Sequence, residues 1–423
     1  MVFVLNKDKT PLNPCHPAKA RKLLNQGRAV IHKKYPFTIR LKELKKPNNK
    51  AGYRLKIDYG SRYTGLAILK NDTEVIWLAE LQHRTDINKK LDDRRAFRRR
   101  RRSKNLRYRP KRFNNRKRPK GWLPPSLLSR VNNIKTWVNR LSKLCPLTHI
   151  SYENTKFDTQ LMRNPEISGI EYQQGTLKGY EIREYLLEKF NRRCVYCGIQ
   201  DIPLQIEHII PKSRGGTDRV DNLTISCQAC NQAKGNMTAK EYGHPDIQTQ
   251  AKKTLKDCAI INATRWKIYE TLISASLPVE CGTGARTKLN RTNLKLPKTH
   301  YYDACSIGAS TLDKLYFKTK NVLYIKSKGR GTRCRTNLDR FGFPRGYLSS
   351  QKSFFGFQTG DMIKAVVPKG KYSGTWHGEV ACRESGYFDI KNNSQKIAQG
   401  VSHKYFTIVQ RFDGYSYRKE AAS

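Results

Sequence analysis

Apolar positions along the chain fall into short alternating runs near both ends, with helical spacing between them. Residues 1–50 read as a small module. Pro11 and Pro14 bracket a turn, a helix covers Ala18–Gln26 and stops at Gly27, and Ala29–His32 and Phe37–Leu41 are short strands. Leu55–Asp58, Leu66–Leu69 and Val75–Leu81 predict three strands in meander order, with Gly60 and Gly65 flanking the first turn. Leu127–Leu144 is helical after Pro124 and Pro125, and Ile150–Glu153 is a strand ending in a carboxylate. A polar linker over Thr159–Lys178 precedes a helix at Glu181–Phe190, and Thr238–Lys267 is mostly helical. His300 opens another helix, with Asp303 one turn on along the same face. Beyond about residue 320, the runs Met362–Val367, Gly378–Cys382, Tyr387–Ile390 and Tyr405–Val409 predict a small antiparallel β module. The expected class is α/β and multidomain, since 423 residues exceed one ordinary domain.

Charge changes the picture between Arg84 and Lys120. Arg94, Arg95, Arg98, Arg99, Arg100, Arg101 and Arg102 put seven arginines in nine residues, and Arg107 follows. No Gly or Pro occurs over 84–109, so a long helix is expected, stopped before Pro110, with Phe97 and Leu106 as its apolar anchors. Such a run is a disordered basic tail in many chains. Here it lies between two segments that read as folded, which favours an ordered, RNA-wrapped helix. The whole chain carries 83 Lys+Arg against 34 Asp+Glu, a net charge of +49. That charge repels itself without a polyanion, which points to nucleic acid.

No run of 18 apolar residues spans a membrane, and the first residues lack the charged-then-apolar order of a signal peptide. Of eleven cysteines, seven (Cys15, Cys145, Cys258, Cys281, Cys305, Cys334 and Cys382) are scattered without framework spacing. A reducing cytoplasm is the expected compartment, with nucleoid association when bound to DNA.

The other four cysteines carry chemistry. Cys194-x-x-Cys197 and Cys227-x-x-Cys230 have the spacing of two zinc knuckles, and four thiolates leave a zinc no open position for water. Between them lie Glu207-His208 and Asn222, and Asn231 follows the second pair. His208 is the candidate general base that takes a proton from water. Glu207 and Asn231 are candidate oxygen ligands for a catalytic magnesium, and Asn222 holds the loop that carries His208. A bare zinc ribbon with an ordinary exposed Glu-His pair is the plainer alternative. A second set is dispersed: Asp58, Glu153 and Asp303, with His300, each lie at the edge of a predicted element. Three converging carboxylates can hold two magnesium ions on a phosphodiester.

The first set resembles the HNH, or ββα-metal, endonuclease pattern, with Asn231 where the family often has His. The second, in the order strand-Asp, strand-Glu, helix-His-x-x-Asp, resembles a split RuvC nuclease domain with a ribonuclease H-like strand arrangement. The whole order is similar to the IscB family of transposon-encoded, RNA-guided nucleases. Pro11-Leu12-Asn13-Pro14 resembles its PLMP motif, with Asn13 where Met is usual. The resemblance divides the chain into a PLMP-like domain (1–50), RuvC part I (51–83), an arginine-rich bridge helix (84–120) and RuvC part II (121–178). An HNH domain (179–245), RuvC part III (246–320) and a C-terminal β domain contacting a target-adjacent motif (321–423) complete it.

The resemblance implies a guide omega RNA, a double-stranded DNA target, and a monomeric protein in a ribonucleoprotein. HNH would cut the guide-paired strand and RuvC the displaced strand, with sequence read by base pairing. No large helical recognition lobe lies between Arg84 and Glu153, so RNA would fill that role. Arg330, Arg333, Arg335, Arg340 and Arg345, at the entrance of the C-terminal module, are candidates for phosphate or base contact. The alternatives are a guide-independent homing or junction nuclease and a non-catalytic RNA-binding protein.

Overall fold

The computed structural model describes residues 1–46, 51–106, 108, 118–119, 121–156, 180–247, 256–329, 336–348, 351–392 and 395–422. The chain divides into two compact units: Met1–Asn154 with Lys267–Ser423, and the insert Thr155–Trp266.

The first unit opens with β1 (Val2–Leu5), β2 (Pro11–Cys15), α1 (Pro17–Asn25), β3 (Ala29–Lys33) and β4 (Thr38–Leu41), in a sheet of order β2-β1-β4-β3. Pro11 and Pro14 therefore lie in a strand and do not bracket a turn. That strand is an edge, where a residue without an N–H leaves no ladder bond unmade. The expected meander follows as β5 (Tyr53–Tyr59), β6 (Tyr63–Lys70) and β7 (Glu74–Gln82), then α2 (Ile87–Ser103), α3 (Pro125–Ser142) and β8 (His149–Glu153).

The insert contains α4 (Tyr180–Lys189), the hairpin β9 (Leu204–His208) and β10 (Leu223–Cys227), and α5 (Gln228–Lys234). Its core is built from Tyr185, Leu186, Phe190, Leu204, Leu223 and Ile225, packed with Cys194 and Cys227. Helix α6 (Lys256–Ile273) leads out of it.

The first unit resumes with β11 (Val279–Gly282), α7 (Gly284–Asn293), α8 (His300–Cys305), β12 (Tyr316–Phe317) and β13 (Asn321–Ser327). Two short hairpins follow, β14 (Thr336–Leu338) with β15 (Pro344–Tyr347) and β16 (Ser353–Phe354) with β17 (Phe357–Gln358). Five antiparallel strands come next: β18 (Met362–Val367), β19 (Gly374–Ala381), β20 (Tyr387–Asn392), β21 (Gln395–Ser402) and β22 (Phe406–Gln410). The last strand is β23 (Tyr415–Ala421).

The large sheet runs β11-β8-β5-β6-β7-β13-β23, with β12 also on β7. Strands β5, β8 and β11 are parallel, and β5, β6 and β7 alternate in direction. Strands β13 and β23 lie within the expected module 321–423 yet complete this sheet, so that segment is not self-contained. Only its middle forms the predicted small β module. Among the described residues no helix is long and apolar enough to cross a membrane.

The arginine run is helical, as expected, but α2 ends at Ser103 rather than near Pro110. Asn105 takes the left-handed conformation, φ 51°, that closes a helix without glycine. No side chain of α2 is buried, and Phe97 and Leu106 are 58% and 49% exposed. They are not anchors: a helix with this many arginines has no apolar face to bury.

Helix α8 lies against β6, and glycine permits it. A Cβ on Gly65 would stand 1.8 Å from the His300 carbonyl oxygen. Tyr301, Tyr302, Ala304 and Cys305 then pack with Ala67, Leu69 and Leu78 of the sheet. The chain after α8 is tied from the other side. Buried Lys56, in β5, donates to the Ile307 carbonyl (2.9 Å) and the Thr311 hydroxyl (2.8 Å). Burial lowers the Lys56 ammonium to about 8. Glu280 accepts from Ser151 and Ser310 hydroxyls, each at 2.6 Å.

Gly65→Ala is expected to destabilise the first unit by about 1–3 kcal/mol, because rigid backbone must move. Gly346→Ala, with nothing within 4 Å of its added Cβ, is expected to change stability by less than about 0.5 kcal/mol. Denaturant unfolding of the two variants compares them; equal stability would contradict the close seat of α8.

Candidate active sites

In the first unit, Asp58 lies near the end of β5 and Glu153 ends β8. The parallel register pairs Leu55 with Ile150 and Ile57 with Tyr152, which brings Asp58 level with Glu153 on one face of the sheet. Helix α8 delivers the other two residues to this region. His300 Nδ1 lies 2.9 Å from Asp58 Oδ2, and the Tyr63 ring stacks on His300.

Asp303 is 2% exposed. It ion-pairs with Arg291 (Nε to Oδ1, 2.9 Å) and with Lys298. Neither of its oxygens has a hydrogen bond of good geometry. Burial raises its carboxyl above the ordinary range; Lys298 opposes the shift and Asp58 adds to it. Both oxygens thus face cations, and a divalent ion held by Asp303 would have to displace Arg291 and Lys298 from it.

One acid here was missed from the sequence. Register places Asp58 opposite Gly65, and Gly65 opposite Glu80, so the three form a row across β5, β6 and β7. Burial raises the Glu80 carboxyl; His300 lowers it and Asp58 raises it further. The pairing of Gly65 with both neighbours was its only signal, and register is not readable from composition.

In the insert, the sulfurs of Cys194, Cys197, Cys227 and Cys230 all lie within 4.8 Å of one another. Burial pushes the Cys194 thiol up, but backbone N–H groups at Cys197, Cys227 and Tyr196 bring it down to about 7. Burial and the neighbouring thiols hold Cys230 well above its usual range. One thiolate thus resists a second beside it, and a cation among the four would lift that conflict.

Each knuckle also reaches the Glu-His pair. Tyr196, inside the first knuckle, donates its hydroxyl to Glu207 Oε2 at 2.5 Å. Lys234, one turn beyond Cys230, ion-pairs with Glu207 Oε1 at 2.5 Å and donates to the His208 carbonyl at 2.9 Å. The Lys234 and Glu207 side chains are 1% and 6% exposed. Glu207 therefore departs from the expectation of an open magnesium ligand: both oxygens are engaged, and it is the counter-ion of a buried lysine. Asn231 donates its amide to Gln205 Oε1 at 2.8 Å. An open magnesium site made of Glu207 and Asn231 is not assembled in this arrangement.

His208 diverges from Glu207, as successive strand residues do. Its Nε2 lies 2.8 Å from Asp218 Oδ1. Asn222 brackets the intervening loop, accepting from the Ile210 N–H and donating to the carbonyls of Ile210 and Thr217, each at 2.9 Å. Tyr196 and Asp218 were both missed from the sequence, where each is a common residue in an ordinary place.

Arg94, Arg98, Arg99, Arg100, Arg101 and Arg102 have no ion pair among the described residues, whereas Arg95 meets Asp92 at 3.3 Å. Arg107, Arg330, Arg333 and Arg335 lie outside the described residues. Arg340 covers the Phe341 ring at 4.7 Å, and Arg345 is exposed on β15.

Residues 194–237 match the HNH endonuclease family, and residues 2–175 match the family described as RRXRR protein. No curated protein matches the chain. Among solved structures, Cas9 of Streptococcus thermophilus in complex with the GGAA PAM is 14% identical, with a TM-score of 0.22, over 61% of this chain and 32% of that one. The Type II-C Cas9 enzyme from Actinomyces naeslundii is 16% identical, with a TM-score of 0.15, over 42% of this chain and 26% of that one. The chain thus spans about a third or less of the length of these Cas9 chains. The insert is an HNH endonuclease domain. Within that class, the chain joins an RRXRR segment to the HNH match, the order expected of an IscB-like nuclease.

Lys234→Met strands a buried Glu207 charge and is expected to cost about 3–5 kcal/mol. Hydrogen exchange of β9 and β10 amides reads the loss, and Lys234→Met with Glu207→Gln together is expected to recover most of it. Unchanged protection in the single variant would contradict the buried pair.

Proposed function

We propose that this chain is an RNA-guided endonuclease for double-stranded DNA, with a transposon-encoded omega RNA as guide. The observation that carries the proposal is α2: a helix with no buried side chain, six of whose seven clustered arginines have no ion pair among the described residues, joined to a nuclease chain of net charge +49. Such a helix requires a polyanion along it, and a structured RNA supplies one. Each unit also carries its own hydrolytic constellation, as cutting two strands requires.

In the insert, His208 takes the proton of the attacking water, while the four cysteines would hold a structural zinc that joins the two knuckles, and Tyr196 and Lys234 link those knuckles to Glu207 on β9. This domain cuts the guide-paired strand. HNH nucleases use divalent metals. In the first unit the strand order and the placement of Asp58, Glu153, His300 and Asp303 support a RuvC-like site for the displaced strand. Asp58, Glu153 and Asp303 would hold magnesium there, which polarises the phosphate and stabilises the charge that develops on it. His300, beside Asp58, orients that carboxylate. The middle of the C-terminal segment, with Arg340 and Arg345, contacts DNA beside the target. The protein works as a monomer within a ribonucleoprotein in the cytoplasm.

Strand-specific nicking tests this division. With the guide RNA bound, His208→Ala is expected to lower cutting of the guide-paired strand by about 10²-fold or more and spare the displaced strand. Asp58→Ala is expected to do the reverse. Loss of both cuts in either variant, with RNA binding intact, would sink the assignment of two independent sites.

A further inference from the structure

The insert holds one arrangement that the proposed chemistry leaves unused. His208 Nε2 faces Asp218 Oδ1 at 2.8 Å, and Lys212 Nζ faces Asp218 Oδ2 at 2.6 Å. An aspartate on an exposed loop is ordinarily a solvated charge. This one is set in place by the loop that carries it. After His208 the chain turns back through Gly215 and Gly216, and a Cβ on Gly216 would stand 1.8 Å from the Ile210 carbonyl oxygen. The Asn222 side chain closes the same loop, holding Ile210 by both its N–H and its carbonyl and holding the Thr217 carbonyl. Thr217 immediately precedes Asp218, so the loop's clamp fixes the carboxylate against the histidine.

We propose that Asp218 is the positioning residue of His208, keeping the ring proton on Nε2 and leaving Nδ1 bare to receive a proton from water. The inference rests on the nuclease chemistry proposed for this unit and specifies which nitrogen carries it out. An ionised carboxylate is only an acceptor, so the nitrogen facing it must bear the proton. The Lys212 ammonium, with His208 second, holds the Asp218 carboxyl below its usual range, which keeps it an acceptor.

In the reaction an O–H bond of water breaks and its proton joins Nδ1. The water oxygen forms the bond to phosphorus, and the electron pair of the breaking P–O bond leaves with the sugar oxygen. The imidazolium then carries a proton on each nitrogen, with the Asp218 charge against Nε2–H. Asn222 acts one step further back, through the loop and not on substrate. This gives the Gly-Gly turn and Asn222 a common purpose that a zinc-stapled fold alone does not require.

The test uses the full chain loaded with zinc and its guide RNA. Asp218→Asn is expected to slow guide-paired strand cutting in single turnover by about 10–100-fold, with DNA affinity unchanged. Asp218→Glu is expected to restore most of the rate. The side chain of Asp218 is 45% exposed, so neither change should disturb folding. Nitrogen NMR of the His208 ring, assigned by its loss in His208→Ala, reports the tautomer directly. Wild type is expected to show Nε2 protonated and Nδ1 bare, and Asp218→Asn to lose that preference. A rate or tautomer in Asp218→Asn equal to wild type overturns the positioning role alone. Absence of any His208-dependent cutting in wild type overturns the nuclease proposal and this inference with it.

Discussion

The seat of α8 on Gly65 is the constraint on which the first unit's candidate site depends. His300 and Asp303 are far from Asp58 in sequence and reach it only because a helix backbone can lie directly on β6. A side chain at residue 65 would hold that helix off the sheet. The pull from the opposite side is polar. Buried Lys56 and half-buried Glu280 grip the chain after α8, and their hydrogen bonds offset the cost of taking charge from water. Apolar packing alone would leave α8 free to slide. Directional bonds to Ile307, Ser310 and Thr311 fix its register, and with it the distance from His300 to Asp58.

The insert solves a similar problem with less material. Its hydrophobic core is small, with one side of α4 packed on a single short hairpin. The four cysteines gather its two knuckles, and each knuckle sends one side chain to Glu207. Tyr196 arrives from the first and Lys234 from the second. Glu207 is thus the junction between the cysteine cluster and His208. That explains why a carboxylate adjacent to the base is buried, when a metal ligand would be expected to face open solvent.

Much of this was legible in the sequence because it depends on spacing. The two CxxC pairs, the Glu207-His208 dyad and the His300-x-x-Asp303 turn all follow from local geometry. The arginine helix was legible as a helix but not in its end, since Asn105 closes it by a left-handed backbone that Asn only tolerates. Relations between distant strands were not legible. Strands β13 and β23 look like ordinary members of a C-terminal module, yet pairing with β7 and with each other places them in the large sheet. Glu80 becomes a neighbour of Asp58 only through Gly65, and Pro11 and Pro14 fit a strand only because that strand is an edge. Asp218 was hidden for the same reason: a loop's path decides which carboxylate meets His208.

In the proposed function a bound RNA, and not the protein surface, chooses where this nuclease cuts. The most direct measurement takes the purified chain, identifies the RNA it carries, and replaces the segment of that RNA that pairs with DNA. RNA guidance predicts one discrete RNA and a cut that moves to the site matching the new segment. Cutting at an unchanged site after RNase treatment and repurification would contradict it.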